Sequence, residues 1–279
     1  MPETQLIEHD VRHLGRERVI CCYELDGVIV DPGPEVSHRT LLESLGDTVP
    51  RAILLTHIHL DHAGATGALV RRWPDTDVWV HEKGAPHVID PSKLVASATR
   101  LYGDDMARLW GEIVPVPQER LRVLRGGERV EGFRVEYTPG HASHHVAYFH
   151  EESGIAFAGD VAGVRIGAGP VMPPTPPPDI DLDAWRASLE VLAEWDPSRV
   201  AITHFGAFDD VGAHLDALRA GLARWGDLAR DADADTYAAE IVAHVRRHAD
   251  EQTAQEYFQA MPPETLWSGL DRYWTRQKG

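Results

Sequence analysis

The feature that most constrains this chain is a dense cluster of histidine and aspartate side chains early in the sequence. His57, His59, Asp61 and His62 lie within six positions of one another. They follow residues 51–56, a compact apolar run that predicts a β-strand, and precede residues 63–73, whose pattern predicts a helix. Two histidines at positions i and i+2 can converge from one face of an extended segment, and the Asp-His pair after them can turn toward a second ion. With 16 histidines in the chain a chance cluster is the alternative, but the preceding strand and Gly64 stand where a metal-binding loop needs them.

Three later segments end predicted strands with further metal-ligating side chains. His141 closes a strand in a Gly-His turn, Asp160 ends the strand of residues 155–158, and His204 follows the strand of residues 200–203. In this order the segments resemble the signature of the metallo-β-lactamase superfamily over residues 16–206, and the lactonase and glyoxalase II-like branch is the most similar. The resemblance implies an α/β fold: a four-layer αββα sandwich of two mixed sheets, with helices outside and the metal site in a cleft along one edge.

The resemblance also implies a dinuclear metal site. His57, His59 and His141 would hold the first ion, Asp61, His62 and His204 the second, and Asp160 would bridge the two. Three neutral imidazoles suit a zinc-like ion, whereas the mixed oxygen and nitrogen set of the second ion would also suit iron or manganese. We therefore expect two divalent metal ions, with zinc as the first expectation.

Further polar residues lie next to these motifs. Asp31 ends an early strand, where the family often has an aspartate that supports the histidine loop by hydrogen bonding; a turn-forming aspartate is the alternative. His144 and His145 lie just beyond the Gly-His turn, and contact of either with a metal is left open. Histidines without paired spacing, such as His81 and His214, are expected to have structural or surface roles.

The charge balance argues against nucleic acid as a partner. The 44 acidic and 27 basic residues give a formal charge of -17, which repels polyphosphate backbones, and no basic stripe offsets it. The hydrophobic share of 43% is that of a globular protein with a large core. A small-molecule substrate is therefore expected.

The sequence also predicts a cytoplasmic protein. Cys21 and Cys22 are adjacent in an apolar run, so on a strand they would point to opposite faces and could not readily pair. The N-terminal residues do not resemble a signal peptide, and no segment has the apolar length of a membrane span. We expect no membrane association.

The predicted elements divide the chain into a catalytic domain, residues 1–206, and a helical extension, residues 207–279, packed on it. Strands are predicted at 19–23, 27–30, 51–56, 78–81, within 121–137, and at 146–150, 155–158 and 200–203, and helices at 36–45, 63–73, 91–110 and 184–195. From Pro170 to Pro178, six prolines in nine positions predict a stiff extended loop. The aromatic residues of the tail predict helical core, with a pocket wall or a homodimer contact as alternatives.

The implied reaction is hydrolysis by a hydroxide shared between two ions, with Asp61 or Asp160 passing a proton to the leaving group. Asp160 and the absence of an export signal disfavour β-lactam hydrolysis. Glyoxalase II enzymes and persulfide dioxygenases commonly carry Gly-Cys-Gly-Arg after the Gly-Asp pair, whereas residues 161–166 here contain no cysteine, which disfavours glutathione substrates. The expected substrate is a lactone or an ester.

Other functions on the same scaffold stay open. A mononuclear iron oxygenase would need bound iron and would consume oxygen, a thioesterase would differ only in its acyl substrate, and a phosphodiesterase or nuclease conflicts with the charge balance. A catalytically silent metal-binding protein would usually have lost a ligand. All seven ligands are present here, which favours an enzyme.

Overall fold

The first of two six-stranded mixed sheets comes from the first half of the chain; the computed structural model describes residues 5–278. Its strands, in spatial as well as chain order, are β1 (Ile7–Asp10), β2 (Cys21–Leu25), β3 (Val28–Val30), β4 (Ala52–Leu54), β5 (Asp77–His81) and β6 (Leu121–Leu124). The first three strands pair antiparallel, and β3 to β6 pair parallel. The carboxyl ends of β3 and β4 therefore lie at the same edge of the sheet.

The second sheet follows in the chain and has the spatial order β12-β11-β10-β9-β8-β7. Its strands are β7 (Arg129–Val130), β8 (Phe133–Tyr137), β9 (Val146–His150), β10 (Ile155–Phe157), β11 (Arg199–Ile202) and β12 (Gly206–Phe208). Only β10 and β11 pair parallel; the other neighbours pair antiparallel. Strands β8, β10 and β11 consequently run in the same direction and end at the same edge.

The two sheets pack face to face through side chains that alternate along each strand. Trp79 and Val30 of the first sheet share a buried cluster with Phe133 and Phe157 of the second. The rings of Trp79 and Phe133 meet edge-on with centroids 6.0 Å apart, an aromatic contact of about 0.5–1.5 kcal/mol beyond the area it buries. The prediction that Cys21 and Cys22 point to opposite faces of a strand is confirmed, because successive side chains of a strand alternate between its faces. Cys21 faces the other sheet, Cys22 faces the helices, and both thiols are free.

Helices cover the outer face of each sheet. They are α1 (His38–Leu45), α2 (Leu60–Ala63), α3 (Thr66–Arg72), α4 (Ala85–Ile89), α5 (Ser92–Tyr102), α6 (Met106–Trp110), α7 (Leu182–Glu194), α8 (Val211–Asp231), α9 (Ala234–His248), α10 (Glu251–Ala260) and α11 (Pro263–Gln277). Leu41 and Leu69 pack with Ile53 on the first sheet, and Trp185 and Leu218 pack with Val200 on the second. This is the four-layer αββα sandwich predicted from the sequence.

The C-terminal helices share the core of the second sheet. Tyr257 and Leu270 belong to the same buried cluster as Trp185 of α7, and Trp225 and Tyr237 meet edge-on within it. The tail aromatics are therefore largely helical core, as predicted. The division of the chain at residue 206 stays a prediction.

The structure departs from the predicted elements at several boundaries. The expected helix at 63–73 is two helices, α2 and α3, and the first of them begins inside the metal-ligand motif at Leu60. The expected helix at 36–45 opens with a 3-10 turn, and that at 91–110 is divided into α5 and α6. Strands β1 and β12 and helix α4 were not predicted, because edge strands and single-turn helices carry little periodicity.

The proline-rich loop behaves as predicted. From Pro170 to Pro178 the chain forms no helix and no extended strand, apart from a single bridge between Met172 and Val164. In the described residues, none of the helices combines the length and the apolar content that a membrane crossing requires.

Candidate metal centre

The predicted ligands all follow strand ends. His57 and His59 come directly after β4, and the chain then enters α2, which carries Asp61 and His62. The turn after β8 presents His141, and the segments after β10 and β11 present Asp160 and His204. All seven side chains converge at one edge of the sandwich, in three overlapping groups whose candidate ligand atoms lie within 4.8 Å of one another.

The first group consists of His57, His59 and His141. Nδ1 of His59 and Nε2 of His141 lie 3.0 Å apart, and the rings of His57 and His59 stand edge-on with centroids 4.5 Å apart. The far nitrogen of His141 hydrogen bonds to the carbonyl oxygen of Pro174 at 3.0 Å. That bond fixes the ring so that Nε2 faces the centre of the group.

The second group consists of Asp61, His62 and His204. Nε2 of His204 lies 3.4 Å from Asp61 Oδ2, and its Nδ1 hydrogen bonds to the carbonyl oxygen of Val19 at 2.7 Å. Asp160 lies between the two groups. Its Oδ1 is 3.3 Å from His62 Nε2, and its Oδ2 is 3.4 Å from His141 Nε2, so its two oxygens face different groups.

Several of these atoms are buried and have no hydrogen-bond partner among the described residues: Nε2 of His57, His62 and His204, and Oδ1 of Asp160. A buried polar atom without a partner costs about 1–3 kcal/mol, so four at one point call for a compensating ligand. Imidazole nitrogen and carboxylate oxygen are ligands of zinc, iron and manganese. The residues present therefore fit the two metal ions that the sequence predicts.

Burial and neighbouring charge separate the pKa values of the two groups. Burial, followed by the neighbouring imidazoles, lowers the pKa of His57 well below the usual value, and burial with His141 lowers the pKa of His59 to about 4. Burial also opposes charge on His62, but Asp160, Asp31 and Asp61 outweigh it and raise that pKa well above the usual value. Burial thus favours the neutral, cation-binding form of the imidazoles in the first group, whereas the three carboxylates favour the charged form of His62.

Asp31 supports the histidine loop by accepting hydrogen bonds from it. Its carboxylate is fully buried; Oδ1 accepts a hydrogen bond from the Thr56 amide at 2.8 Å, and Oδ2 accepts from the hydroxyls of Thr56 and Thr203 and from Nδ1 of His62, at 2.7 to 2.8 Å. The carboxylate thus ties the start of the histidine loop to the end of β11. The two threonines are functional residues that sequence reasoning missed, because each becomes a donor only when distant strands meet.

Two glycines allow the ligand turns to approach the rest of the site. A Cβ on Gly140, whose φ is +139°, would lie 2.3 Å from the Cα of Trp185. A Cβ on Gly159 would lie 2.4 Å from the Thr56 hydroxyl. Only glycine fits at either position, because any side chain would push His141 or Asp160 away from the centre.

The histidines left open by the sequence do not join the ligand groups. His145 is buried with both ring nitrogens occupied, Nδ1 by the Thr138 hydroxyl at 2.9 Å and Nε2 by the Val161 amide at 3.4 Å. Nδ1 of His144 faces the Ile58 amide at 3.4 Å. His81 stacks on Tyr137, and His214 bonds a backbone carbonyl, so both have structural roles as expected.

A cavity of about 560 Å³ opens above the cluster, and His59, Asp61, His141, Asp160 and His204 lie on its floor. His13 joins the segments that form one wall of the cavity. Its Nε2 hydrogen bonds to the carbonyl oxygen of Leu109 at 2.9 Å, and its ring stacks on Trp110. Its backbone carbonyl accepts a hydrogen bond from the side-chain amide of Gln259. Sequence reasoning missed this wall, since its partners lie 96 and 246 residues away from His13.

Comparison with known proteins agrees with this geometry. The family model described as the metallo-beta-lactamase superfamily matches residues 19–204. The metallo-beta-lactamase fold-containing protein ST1585 of Sulfurisphaera tokodaii is 30% identical over 194 residues, which cover 67% of this chain and 71% of that protein. The crystal structure of ST1585 superimposes with a TM-score of 0.72 over 96% of this chain and 99% of its own, at 24% identity.

Two further relatives carry more specific descriptions. A hydroxyacylglutathione hydrolase of Xylella fastidiosa is 30% identical over 150 residues, 53% of this chain, and the match spans 45% of that enzyme's length. A solved structure of TTHA1623 in a di-iron-bound form is 32% identical, covers 68% of this chain and 87% of its own, and has a TM-score of 0.53. The chain belongs to the metallo-beta-lactamase superfamily and is a metal-dependent hydrolase.

Proposed function

We propose that this chain is a dinuclear hydrolase of acyl substrates, namely lactones or esters. The observation that carries the proposal is the arrangement of two groups of ligand atoms with Asp160 between them, on the floor of an open cavity. Four of these atoms, one of them on Asp160, are buried without a partner in the described part of the chain. In this proposal the first ion is held by His57, His59 and His141 and the second by Asp61, His62 and His204, with Asp160 shared. Residues 1–206 would form the catalytic domain.

The ions would supply a hydroxide at neutral pH and polarise the acyl carbonyl. The protein's own part is to position the substrate, to move a proton and to limit the access of water to the site. Asp61 is suited to proton transfer because its side chain reaches the cavity and is 22% exposed, whereas that of Asp160 is 4% exposed. Burial opposes the charge on Asp61, but His62 and His204 outweigh it and lower its pKa, so that the carboxylate is ionised.

The cavity favours an ester or lactone over a glutathione thioester, although a relative is described as a hydroxyacylglutathione hydrolase. Glutathione carries two carboxylates that need cationic partners. Arg165, in the segment after Asp160, does not line the cavity; it pairs with Asp210 at 2.7 Å and lies over the ring of Phe208. Of the two arginines that line the cavity, Arg108 already pairs with Asp105 at 2.8 Å, which leaves Arg100 for two carboxylates.

We propose zinc as the native metal, and the di-iron form of TTHA1623 makes iron the alternative to be measured. The free, buried thiols of Cys21 and Cys22 support a reducing, cytoplasmic location. The half-buried Trp267 and Trp274 at the surface of the C-terminal helices make a homodimer through these helices a further proposal.

The test combines metal analysis with a substrate panel. Protein purified without chelator should contain about two transition-metal ions per chain, because the ligands divide into two sets that share one carboxylate, and Asp160→Ala should lose the second ion first. Among lactones, esters, thioesters, phosphodiesters and a β-lactam, lactones or esters should be hydrolysed fastest. His59→Ala should lower kcat/KM at least about 100-fold, whereas His248→Ala on the exposed face of α9 should not.

One tightly bound ion that survives Asp160→Ala would contradict the dinuclear centre. Phosphodiester cleavage far faster than hydrolysis of every acyl substrate would contradict the acyl substrate. It would also mean that the net charge of the chain does not predict which substrates it excludes. Oxygen consumption with iron bound and no hydrolysis would replace the proposal with an oxygenase.

A further inference from the structure

We propose that the acyl group of the substrate carries an extended, uncharged apolar chain that lies in the cavity along helix α5. This inference rests on the proposed hydrolysis for its chemistry, but it concerns a different part of the molecule, namely the cavity walls away from the metal ligands. It identifies the substrates as esters or lactones of medium-length, fatty-acid-like acyl groups.

The first observation is that α5 packs only part of its apolar stripe, at Leu94, against the buried cluster that contains Ile53 and Leu69. Leu94, Ser97, Ala98 and Leu101 have the spacing i, i+3, i+4 and i+7, which places them on one side of the helix, and all four line the cavity. An amphipathic helix normally buries such a stripe against the core. No residue of α5 is fully buried, and Leu101 is 42% exposed. Beyond Leu94, the stripe of α5 therefore faces the cavity with little protein packed on it.

The second observation is that apolar side chains from distant segments line the same cavity. Leu14 in the segment after β1 is 44% exposed. Met261 comes from the turn between α10 and α11, and Leu266 comes from α11. The proline-rich loop adds Pro174 and Pro176. Exposed leucines that line one concave space are a surface that a chain of methylene groups would cover, whereas isolated exposed leucines need no explanation.

The third observation is the scarcity of charge beyond the metal ligands. Of the cationic side chains lining the cavity, Arg108 is paired with Asp105 at 2.8 Å and Arg100 is exposed at the end of α5. The amide side chain of Gln259 is already engaged, since its oxygen accepts from Arg16 and its nitrogen donates to the carbonyl of His13. These walls therefore offer apolar contact and few free partners for a charged or peptide-like group.

The proposed metal ligands on the floor determine which end of the substrate would react. Water adds its oxygen to the acyl carbon, the acyl–oxygen bond breaks, and the departing oxygen takes up a proton, which gives a carboxylic acid and an alcohol. The acyl carbon must lie beside Asp61 and Asp160, and the remainder of the acyl group then extends between α5 and the C-terminal wall. A volume of about 560 Å³ is in the range that encloses a small organic ligand.

The test is a chain-length series of p-nitrophenyl esters from acetate to dodecanoate, together with calorimetric titration of butanoate and decanoate. Each methylene that enters an apolar site contributes up to about 0.8 kcal/mol, or roughly a fourfold gain. We expect kcat/KM to rise by at least about tenfold from butanoate to decanoate ester, and decanoate to bind more tightly than butanoate by a similar factor.

Leu101→Asp should reduce this decanoate-to-butanoate ratio to near one in both measurements, because it places a charge in the apolar wall. The matched control is Val123→Asp on β6, since Val123 is also an exposed apolar residue, at 51%, but does not line the cavity. The control should leave the ratio unchanged.

The outcomes separate this inference from the proposed function. Ester hydrolysis with no dependence on chain length, or a ratio unaffected by Leu101→Asp, would overturn the apolar-chain inference and leave the hydrolase intact. Tight decanoate binding that Leu101→Asp abolishes, without hydrolysis of any ester or lactone, would support the apolar site and refute the proposed reaction. Weak binding of both acids together with absent hydrolysis would refute both.

Discussion

At the scale of single residues, Asp31 connects Thr56, His62 and Thr203 although it is not itself a proposed ligand. Four donors share its carboxylate, and one of them is Nδ1 of His62. Its backbone has a φ of +49°, a left-handed conformation that aspartate tolerates better than most residues. The sequence predicted support of the histidine loop, and the contacts are of the kind that orients a ligand through its other ring nitrogen.

Replacing this carboxylate tests that role. Asp31→Asn keeps the size but cannot accept from all four donors, so we expect metal affinity to fall about 10- to 100-fold. We also expect the metal-free protein to lose about 1–3 kcal/mol of unfolding free energy. Competition with a chelator and urea unfolding measure the two effects. Thr203→Val removes one donor only and should have the smaller effect in both assays; equal metal affinity in Asp31→Asn and the unchanged protein would contradict the role.

At the scale of elements, the start of α7 holds the Gly-His turn in place. Asp181 caps this helix by accepting from the Asp183 and Ala184 amides, and its own amide donates to the carbonyl of Gly140 at 2.9 Å. Trp185, one turn into the helix, donates from Nε1 to the carbonyl of Val161, next to Asp160. One helix end thus supports the backbone beside two proposed ligands.

Two substitutions separate the cap of α7 from its contact with the turn. Gly140→Ala places a Cβ 2.3 Å from the Trp185 backbone at a positive φ, so we expect loss of His141 from the site, a drop in bound metal to about one ion per chain and lower stability. Asp181→Ala removes the side-chain cap and should cost about 1 kcal/mol of unfolding free energy with both ions retained. Metal analysis and urea unfolding measure both; full metal content in Gly140→Ala would show that the turn is not constrained by α7.

At the scale of the whole molecule, buried histidines outside the ligand groups link stability to pH. Burial, the largest cause, lowers the pKa of both His13 and His214 from the usual 6.5. They stay neutral in the folded protein while the unfolded chain takes up protons, so the stability they contribute is present above pH 6.5 and declines as the pH falls below it. The pKa values of His62 and His204 are raised, so these two histidines change the stability with pH in the opposite direction. The contribution of a single buried histidine is therefore measured by substituting it.

We therefore predict that His214→Gln flattens the pH dependence. For one such histidine the unfolding free energy can fall by up to about 1.4 kcal/mol between pH 7.5 and 5.5, and the variant lacks that fall because glutamine does not titrate. Urea unfolding of metal-free protein at the two pH values measures the difference. The exposed His248→Gln serves as control. An equal fall in His214→Gln and the unchanged protein would mean that His214 is charged in the folded state.

The sequence by itself determined the features that depend on short spacing. The ligand cluster from His57 to His62 sits in one loop whose flanking elements have clear periodicity, and the other proposed ligands each follow a recognisable strand. The opposite faces of Cys21 and Cys22 follow from the period of a strand alone. These predictions hold because each depends on a few consecutive residues.

Only the tertiary structure decided how distant segments complete the site. The wall where His13 meets Leu109 and Gln259, the donors Thr56 and Thr203 on one carboxylate, and the edge strands β1 and β12 have no local signature. Helix α5 was predicted from its pattern, yet the sequence could not show that its apolar stripe faces a cavity instead of the core. The physical reason is that a periodic pattern records which face is apolar, whereas the surface that covers this face depends on contacts between residues far apart in the chain.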